Sequence, residues 1–329
     1  MLQRTLRQIR ERARRLLRPS LPPVSKHILN NQIQIPESSL EPVRKALEKH
    51  YHAGWRGKDK YSSDGYEADV AAHMHLRLGD DRRTIIPWLD HSTKLDQKRI
   101  LEIGCGTGSS AVALAEQGAK VTGIDIDEGA LEVAKVRAQV YGLQADFRLM
   151  NAAQMFSSTI DEPFDLVIFF ASLEHMTMEE RIASLRDAWT ALPVGALLVI
   201  IETPNRLWYY DSHTSFLKFF HWLPDELALQ YSRFSGRENF RELYMDDTPA
   251  QREHFLRRGR GMSFHELDVA IKSARELNVA SSLSTFQGAA YTAMRSPRDR
   301  QYKSLLKSIE PTVHEGFFDE YLHLIIRKD

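Results

Sequence analysis

The sequence has little of three things: cysteine, long apolar runs and net charge. Cys105 is the single cysteine in 329 residues, which excludes a disulfide within the chain and argues against a cysteine-based zinc cluster. No run approaches the roughly 18 apolar residues that span a bilayer, and the first residues lack the apolar core of a secretory signal. Lysine plus arginine and aspartate plus glutamate both number 44, so we expect no nucleic-acid partner. These features are typical of a cytoplasmic protein.

The charge is nevertheless unevenly distributed, because residues 1–18 contain seven arginines and a single acid, Glu11. Apolar residues recur there at helical spacing, which predicts a short basic amphipathic helix: Leu2, Leu6, Ile9, Ala13 and Leu16. Prolines from residue 19 onward end it. Such a helix suits peripheral contact with an anionic membrane, docking on its own domain, or dimerisation through residues 2–18. A transit segment and a nucleic-acid contact are weaker alternatives.

From residue 99 onward, apolar segments of strand length alternate with helical patterns. The predicted strands are Arg99–Ile103, Lys120–Ile124, Asp146–Met150, Phe164–Phe170, Ala196–Ile201, Val279–Phe286 and Tyr321–Arg327. The predicted helices are Ser109–Gln117, Glu128–Tyr141, Met178–Leu192 and His265–Leu277, with a helical insertion at about 205–262. Residues 37–90 are mostly helical in pattern, with a polar loop at Gly54–Gly65. Buried strands that alternate with helices predict a mostly parallel sheet covered on both faces.

The segment LEIGCGTG joins the first strand to the first of these helices. Gly104, Gly106 and Gly108 allow a sharp turn and bring the backbone close to a ligand, toward which the helix aims free amides. The dinucleotide fingerprint would place a third glycine at Ser109, so an NAD-dependent oxidoreductase is the weaker interpretation. Asp125 ends the second strand, where a carboxylate can accept hydrogen bonds from both ribose hydroxyls. A helix cap or turn acid is the structural alternative for Asp125.

Four segments in order resemble class I S-adenosylmethionine-dependent methyltransferases, in particular small-molecule O-methyltransferases of the ubiquinone-biosynthesis type. Glu102-Ile103-Gly104-Cys105-Gly106-Thr107-Gly108 resembles their first motif, and Gly123-Ile124-Asp125-Ile126-Asp127 their second. Asn151-Ala152-Ala153-Gln154-Met155 is similar to the segment after strand three, although Asn151 replaces the acid that commonly meets adenine. Phe164-Asp165-Leu166-Val167-Ile168, followed by Ser172-Leu173-Glu174-His175-Met176, resembles the fourth motif.

This resemblance implies a Rossmann-like sheet of seven strands with an antiparallel last strand, and S-adenosyl-L-methionine at the carboxyl edge of strands one, two and four. The positions it assigns to the cofactor are Glu102, Gly104, Cys105, Gly106, Gly108, Asp125, Ile126, Asn151, Ala152 and Phe170. The pattern along the chain, taken with this resemblance, predicts three regions: a basic helix and linker at 1–36, a helical cap at 37–95, and a methyltransferase domain at 96–329. The insertion at about 205–262 would cover the substrate.

Two histidines are candidates for the base that removes an acceptor proton. His175 follows strand four, where the resemblance places an active-site role; the alternative is a histidine that caps a helix or bonds a backbone carbonyl. His213 lies in a polar segment that leaves strand five and suits an acceptor with hydroxyls or a carboxylate; a surface loop is its alternative. We expect no metal, because Ala171 replaces an acid that the ubiquinone-pathway enzymes carry three residues before the glutamate of Leu-Glu-His.

The sequence therefore predicts a methyltransferase that acts on an oxygen of a small molecule or glycan. Nucleobase amino methylation lacks its motif after strand four, and cytosine C5 methylation lacks a free cysteine outside the cofactor loop. A non-catalytic module that senses S-adenosylmethionine or its product, or acts as a scaffold, remains an alternative. The specificity of the acceptor would lie in the insertion and the N-terminal helices, to which fold analogy does not reach.

Overall fold

The computed structural model describes residues 21–53, 63–155, 163–244 and 248–329. The predicted basic helix at residues 2–18 lies outside this range, as does most of the predicted loop Gly54–Gly65. Within the described part of the chain, no helix combines the length and apolarity required to cross a membrane.

Seven strands form one sheet in the order β3-β2-β1-β4-β5-β7-β6. The strands are β1 (Arg99–Ile103), β2 (Lys120–Asp125), β3 (Ala145–Leu149), β4 (Leu166–Phe170), β5 (Leu197–Pro204), β6 (Asn278–Ser282) and β7 (Tyr321–Arg327). Strands β1 to β5 pair in parallel, whereas β7 runs antiparallel to both β5 and β6. The predicted seven-stranded, mostly parallel sheet with an antiparallel last strand is confirmed.

Helices precede the sheet and alternate with its strands. Before β1 lie α1 (Lys26–Asn31), α2 (Glu41–Ala46), α3 (Ser63–Ala71), α4 (Arg77–Asp80) and α5 (Ile86–Ser92). Between strands β1 and β5 lie α6 (Ser109–Ala115), α7 (Glu128–Val140), α8 (Ala152–Met155) and α9 (Met178–Ala191). After β5 come α10 (Asp225–Tyr231), α11 (Glu238–Leu243), α12 (Pro249–Leu256), α13 (Phe264–Ala270), α14 (Leu283–Gln287), α15 (Ala289–Met294) and α16 (Pro297–Ile309).

The two faces of the sheet enter two different apolar cores because successive strand residues point to opposite sides. Ile100 and Ile168 pack with the N-terminal helices and α6, where Trp88 is fully buried. Leu101 and Val167 pack on the other face with α9 and α13. The region between β5 and α13 has a third, smaller core of its own: Leu217, Phe220, Ala228, Leu229, Phe240, Tyr244 and Phe255.

Two predicted elements near the C-terminus are wrong in extent. The helix predicted at His265–Leu277 ends at Ala270, because the Asp268 carboxylate accepts the Ala274 N–H at 2.6 Å and offers the backbone an alternative to helical bonding. The strand predicted at Val279–Phe286 ends at Ser282. The Ser282 hydroxyl there accepts the Thr285 N–H and caps α14. Similarly, α3 begins at Ser63, inside the predicted loop Gly54–Gly65.

Candidate active site

The loop between β1 and α6 uses its three glycines in two different ways. Gly104 (φ +83°) and Gly108 (φ +79°) are required by packing, since an added Cβ would lie 2.7 Å from the Cβ of Ser172 and 2.8 Å from the Cβ of Ala134. Gly106 (φ +50°) is different, because a Cβ there would meet no atom within 4 Å. The loop therefore packs tightly against the protein at Gly104 and Gly108. It is open at Gly106, where a ligand can approach the backbone.

Asp125 lies directly beside that open position. Its Oδ2 accepts the Gly106 N–H at 2.8 Å, and its Oδ1 accepts the Asp127 N–H at 2.9 Å. Burial raises the pKa of Asp125, and these two N–H donors partly oppose the shift. The cap of α7 is Asp127, whose carboxylate accepts the Ala130 N–H. The Asp125 carboxylate stabilises this turn through these two hydrogen bonds. Its remaining lone pairs can accept a hydrogen bond from a ligand hydroxyl.

Three more of the predicted cofactor positions surround the loop. Glu102 is fully buried, with one oxygen accepting the Ser110 hydroxyl and the other oxygen without a partner. Burial raises the pKa of Glu102 to about 7. Cys105 is also buried, and burial raises the pKa of its thiol, so it behaves as a packing residue rather than a nucleophile. Ile126 is 71% exposed and presents an apolar surface next to Asp125.

The remaining predicted positions follow strands β3 and β4. Asn151 uses its side-chain oxygen to accept the Ala153 N–H at 2.9 Å, which starts α8, and Ala152 is buried beneath that turn. Phe170 is half-buried at the end of β4, and its carbonyl oxygen would be 2.9 Å from a Cβ at Gly104. These residues therefore lie at the carboxyl ends of β3 and β4, on the same edge of the sheet as the glycine loop that follows β1.

His175 and His213 come together at this edge around a buried carboxyl group, Glu174. Glu174 is fully buried, and among the described residues neither of its oxygens has a partner within hydrogen-bond distance. The Nε2 atoms of His175 and His213 each lie 3.9 Å from Oε1 of Glu174, and the two ring centroids are 6.5 Å apart. Burial raises the pKa of Glu174 to about 8. A pKa raised this far favours the protonated carboxyl group at neutral pH.

The partners of each ring leave Nε2 as the free basic nitrogen. His175 Nδ1 lies 3.0 Å from the carbonyl oxygen of Arg257, which can only accept, so Nδ1 carries the hydrogen. His213 Nδ1 lies 2.8 Å from the Thr214 hydroxyl, which donates to Gly259 O and therefore accepts from the ring. Burial lowers the pKa of both histidines, that of His213 to about 4 with a further contribution from His175. Both rings are therefore neutral imidazoles at pH 7.

Most other polar groups of the segment after β5 have structural partners. The Asn205 amide donates to Phe317 O and Asp319 O at 2.8 and 2.7 Å. The Asp211 carboxylate accepts three backbone N–H groups and the Ser215 hydroxyl, and although burial opposes it, His221 lowers the pKa of Asp211. Asn205 and Asp211 therefore shape the loop. His213, from the same polar segment, is left exposed to the site.

Two arginines of the basic segment 257–260 also have partners within the protein. Arg257 pairs with Glu180 at 2.9 Å, and the buried Arg260 donates to Phe220 O and Leu223 O. The sequence predicted no metal here and assigned Glu174 no function of its own, because nothing in a linear pattern shows that a residue at position 213 returns to it. In the described ranges, no set of three or more His, Cys, Asp or Glu side chains is arranged to hold a metal ion.

The chain is similar to known methyltransferases over part of its length. Residues 100–195 match a family model described as a methyltransferase domain. Ubiquinone biosynthesis O-methyltransferases of Stutzerimonas stutzeri and Azoarcus sp. are 38% and 36% identical over 37% of this chain and 50% of each relative. The chain thus spans about half the length of these curated relatives.

Solved structures with a similar arrangement include two methyltransferases. A magnesium protoporphyrin IX methyltransferase from Synechocystis with bound SAH is 25% identical, with a TM-score of 0.36, over 49% of this chain and 71% of that one. A SAM-dependent methyltransferase from Methanosarcina mazei is 23% identical, with a TM-score of 0.39, over 58% of this chain and 84% of that one. The match of the family model makes residues 100–195 similar to methyltransferase domains.

Proposed function

We propose that this protein transfers a methyl group from S-adenosylmethionine to a hydroxyl oxygen of a small molecule or glycan. The observation that carries the proposal is the approach of two neutral histidine Nε2 atoms to the buried carboxyl of Glu174, at the sheet edge that carries the glycine loop. A hydroxyl acceptor has to lose a proton on methylation, and a neutral imidazole is a suitable base.

The residues of the loop fit the methyl donor. In the proposed site, Asp125 would hold the ribose hydroxyls, the open face of Gly106 would allow close approach, and the exposed Ile126 would offer the adenine an apolar surface. The free oxygen of Glu102 would accept a hydrogen bond from the amino-acid part of the donor. When bound, S-adenosylmethionine supplies an activated methyl group on a sulfonium.

The proton is handled by the chain's own side chains. His213 or His175 takes the acceptor proton on Nε2, while the Nδ1 hydrogen bonds keep each ring oriented. The carboxyl oxygen of Glu174, 3.9 Å from each Nε2 atom, stabilises the resulting imidazolium. The burial of Glu174 excludes water, which strengthens this interaction.

Calorimetric titration with S-adenosylhomocysteine, and with NAD as the control ligand, tests the cofactor assignment. We expect S-adenosylhomocysteine to bind and NAD not to bind. A labelled methyl donor with a panel of phenols, catechols and sugars then tests the transfer. Binding without transfer to any hydroxylated acceptor would favour the alternative of a sensor or scaffold, and binding of NAD alone would contradict the assignment.

The basic segment at residues 2–18 supports a further proposal about location. Its arginines and apolar spacing suit peripheral contact of a cytoplasmic enzyme with an anionic membrane, or dimerisation. Sedimentation with phosphatidylglycerol vesicles tests membrane contact, and a measurement of the oligomeric state tests dimerisation. Neutralising four of the seven arginines should abolish vesicle binding, and no change in either measurement would contradict both roles.

A further inference from the structure

We infer that a cavity between α9, α13 and the segment after β5 binds a small amphipathic anion, an aromatic or alkyl body that bears one carboxylate. The cavity has a volume of about 420 Å³ and is lined by Met178, Ile182, Arg206, Leu207, Trp222, Ser263, His265, Glu266 and Val269. This volume lies in the range of small-molecule sites, roughly 300–1,000 Å³. None of the lining residues belongs to the proposed cofactor or histidine site, so the inference goes beyond methyl transfer.

The walls of the cavity expose apolar surface to water. Met178, Trp222 and Val269 are 47%, 48% and 62% exposed, although all three are large apolar side chains. The Trp222 ring packs against Phe219 with 4.8 Å between the ring centroids, which holds the indole in place. A ligand body that covers these side chains removes apolar area from water and is bound for that reason.

The charges around the cavity leave one cation uncompensated. Arg181 pairs with Glu266 at 2.7 Å, and Arg260 pairs with Asp225 at 3.1 Å. The guanidinium of Arg206 forms neither an ion pair nor a hydrogen bond with the described residues; only its backbone N–H is bonded. Burial lowers the pKa of Arg260, Asp225 opposes this shift, and the positive charge of Arg206 adds to it. An anion at Arg206 would relieve this repulsion.

The frame of the cavity is rigid before any ligand arrives. The Arg206 N–H donates to Met262 O at 2.8 Å, and the Met262 N–H donates to Pro204 O at 2.9 Å. The buried pair of Arg181 and Glu266 fixes α9 to α13. Little conformational freedom is therefore lost when a ligand binds.

The chemistry of the lining selects the ligand class. A guanidinium binds a carboxylate through two parallel hydrogen bonds, which a neutral hydroxyl cannot reproduce. The exposed ring of His265 and the Ser263 hydroxyl, 3.3 Å apart, add polar groups to the lining. The apolar body then lies against Trp222 and Val269. A neutral alcohol of the same shape should be bound more weakly.

The probe for the test is 4-phenylbutyrate, compared with 4-phenylbutan-1-ol, which has the same body and no charge. Full-length protein labelled with 15N at tryptophan is titrated by NMR, with S-adenosylhomocysteine in excess so that the methyl-donor site is occupied. We expect a saturable shift of the Trp222 indole signal, assigned with Trp222→Phe, and no shift of Trp88. Trp88 is an internal control because its buried indole donates to Ser281 at 3.0 Å.

The expected result is that 4-phenylbutyrate binds at least about 10-fold more tightly than the alcohol, as a charge-assisted pair requires. Arg206→Gln should remove this preference, whereas Arg233→Gln, an exposed arginine outside the cavity, should preserve it. Val269→Glu should abolish binding by placing a carboxylate at the mouth, and Val194→Glu should not. Both valines are exposed, so neither variant threatens folding.

Three outcomes measured with the donor site occupied would overturn the inference. They are absence of a Trp222 shift at millimolar 4-phenylbutyrate, equal affinity for acid and alcohol, and an unchanged preference in Arg206→Gln. Loss of 4-phenylbutyrate binding when S-adenosylhomocysteine is added would also overturn it, because the probe would then occupy the donor site. If S-adenosylhomocysteine does not bind, only the proposed methyl transfer is contradicted. The Trp222 result can still be interpreted.

Discussion

Replacing Gly106 by alanine should separate cofactor binding from folding. Gly106 has φ +50°, and an added Cβ would meet no atom within 4 Å, so the folded protein without ligand has room for the methyl group. The cost in the free energy of unfolding is then limited to the left-handed backbone, about 1 kcal/mol once the smaller entropy of the unfolded chain is counted. We expect a small fall in melting temperature, roughly 2 °C.

The effect on ligand binding should be much larger. The new methyl group would occupy the open side of the loop, where the backbone has to approach the methyl donor, next to the Asp125 carboxylate that accepts the Gly106 N–H. Overpacking of this kind costs about 1–3 kcal/mol. We therefore expect Gly106→Ala to weaken binding of S-adenosylhomocysteine by about 10-fold or more, measured by calorimetry.

Two other glycines provide matched controls. Gly142 has φ +65° and open space for a Cβ, so Gly142→Ala should cost similar stability and leave S-adenosylhomocysteine binding unchanged. Gly108→Ala would place its Cβ 2.8 Å from the Cβ of Ala134 and should lose a further 1–3 kcal/mol, roughly, in stability. The reasoning is refuted if Gly106→Ala binds S-adenosylhomocysteine as the wild type does, or if it is destabilised as much as Gly108→Ala.

Further predictions concern the acids and one histidine. Asp125→Asn should weaken S-adenosylhomocysteine binding by about 1–3 kcal/mol in the same calorimetric assay, and unchanged affinity would contradict its ribose role. His213→Ala should lower kcat about 100-fold with little change in acceptor KM if it is the base; a change in KM alone would make it a positioning residue. Because burial raises the pKa of Glu174 from 4.5 to about 8, the native state binds more protons than the unfolded state between these values. The stability that its protonated form confers is therefore complete below pH 4.5, falls as the pH rises from 4.5, and is fully lost above about pH 8. The melting temperature of Glu174→Gln should accordingly exceed that of the wild type more at pH 8 than at pH 5, and a pH-independent difference would contradict a protonated Glu174. Glu266→Ala should lower the free energy of unfolding in urea by about 3–5 kcal/mol, since it leaves Arg181 buried and unpaired; a loss under 1 kcal/mol, roughly, would contradict that pairing.

The parts of the fold that could be predicted are those whose signal is contiguous in the chain. Strand β1, the glycine loop and α6 follow each other directly, and the apolar run before Gly104 is buried in the sheet as its pattern predicts. The position of Asp125 follows from the same contiguity, because the end of a parallel strand next to β1 lies at the loop. Local periodicity and glycine placement were sufficient in this region.

The site could not be predicted where it depends on contacts between distant segments. His213 lies 39 residues after Glu174 in the chain, and only the return of the segment after β5 brings its Nε2 to 3.9 Å from the Glu174 carboxyl. The end of α13 was also missed, since a side-chain bond from Asp268 outweighs a continuing helical pattern. In both places the deciding interaction joins residues that no periodic pattern relates.

One buried side chain couples the histidine site to the region that was expected to cover the substrate. Arg181 of α9 donates to Leu173 O at 2.9 Å, beside Glu174, and to Arg260 O at 3.1 Å. The Arg260 N–H in turn donates to Glu174 O, and the Arg257 carbonyl holds the ring of His175. The orientation of the candidate base therefore depends on docking of residues 257–260. Acceptor specificity and proton removal are for this reason expected to change together when that segment is altered.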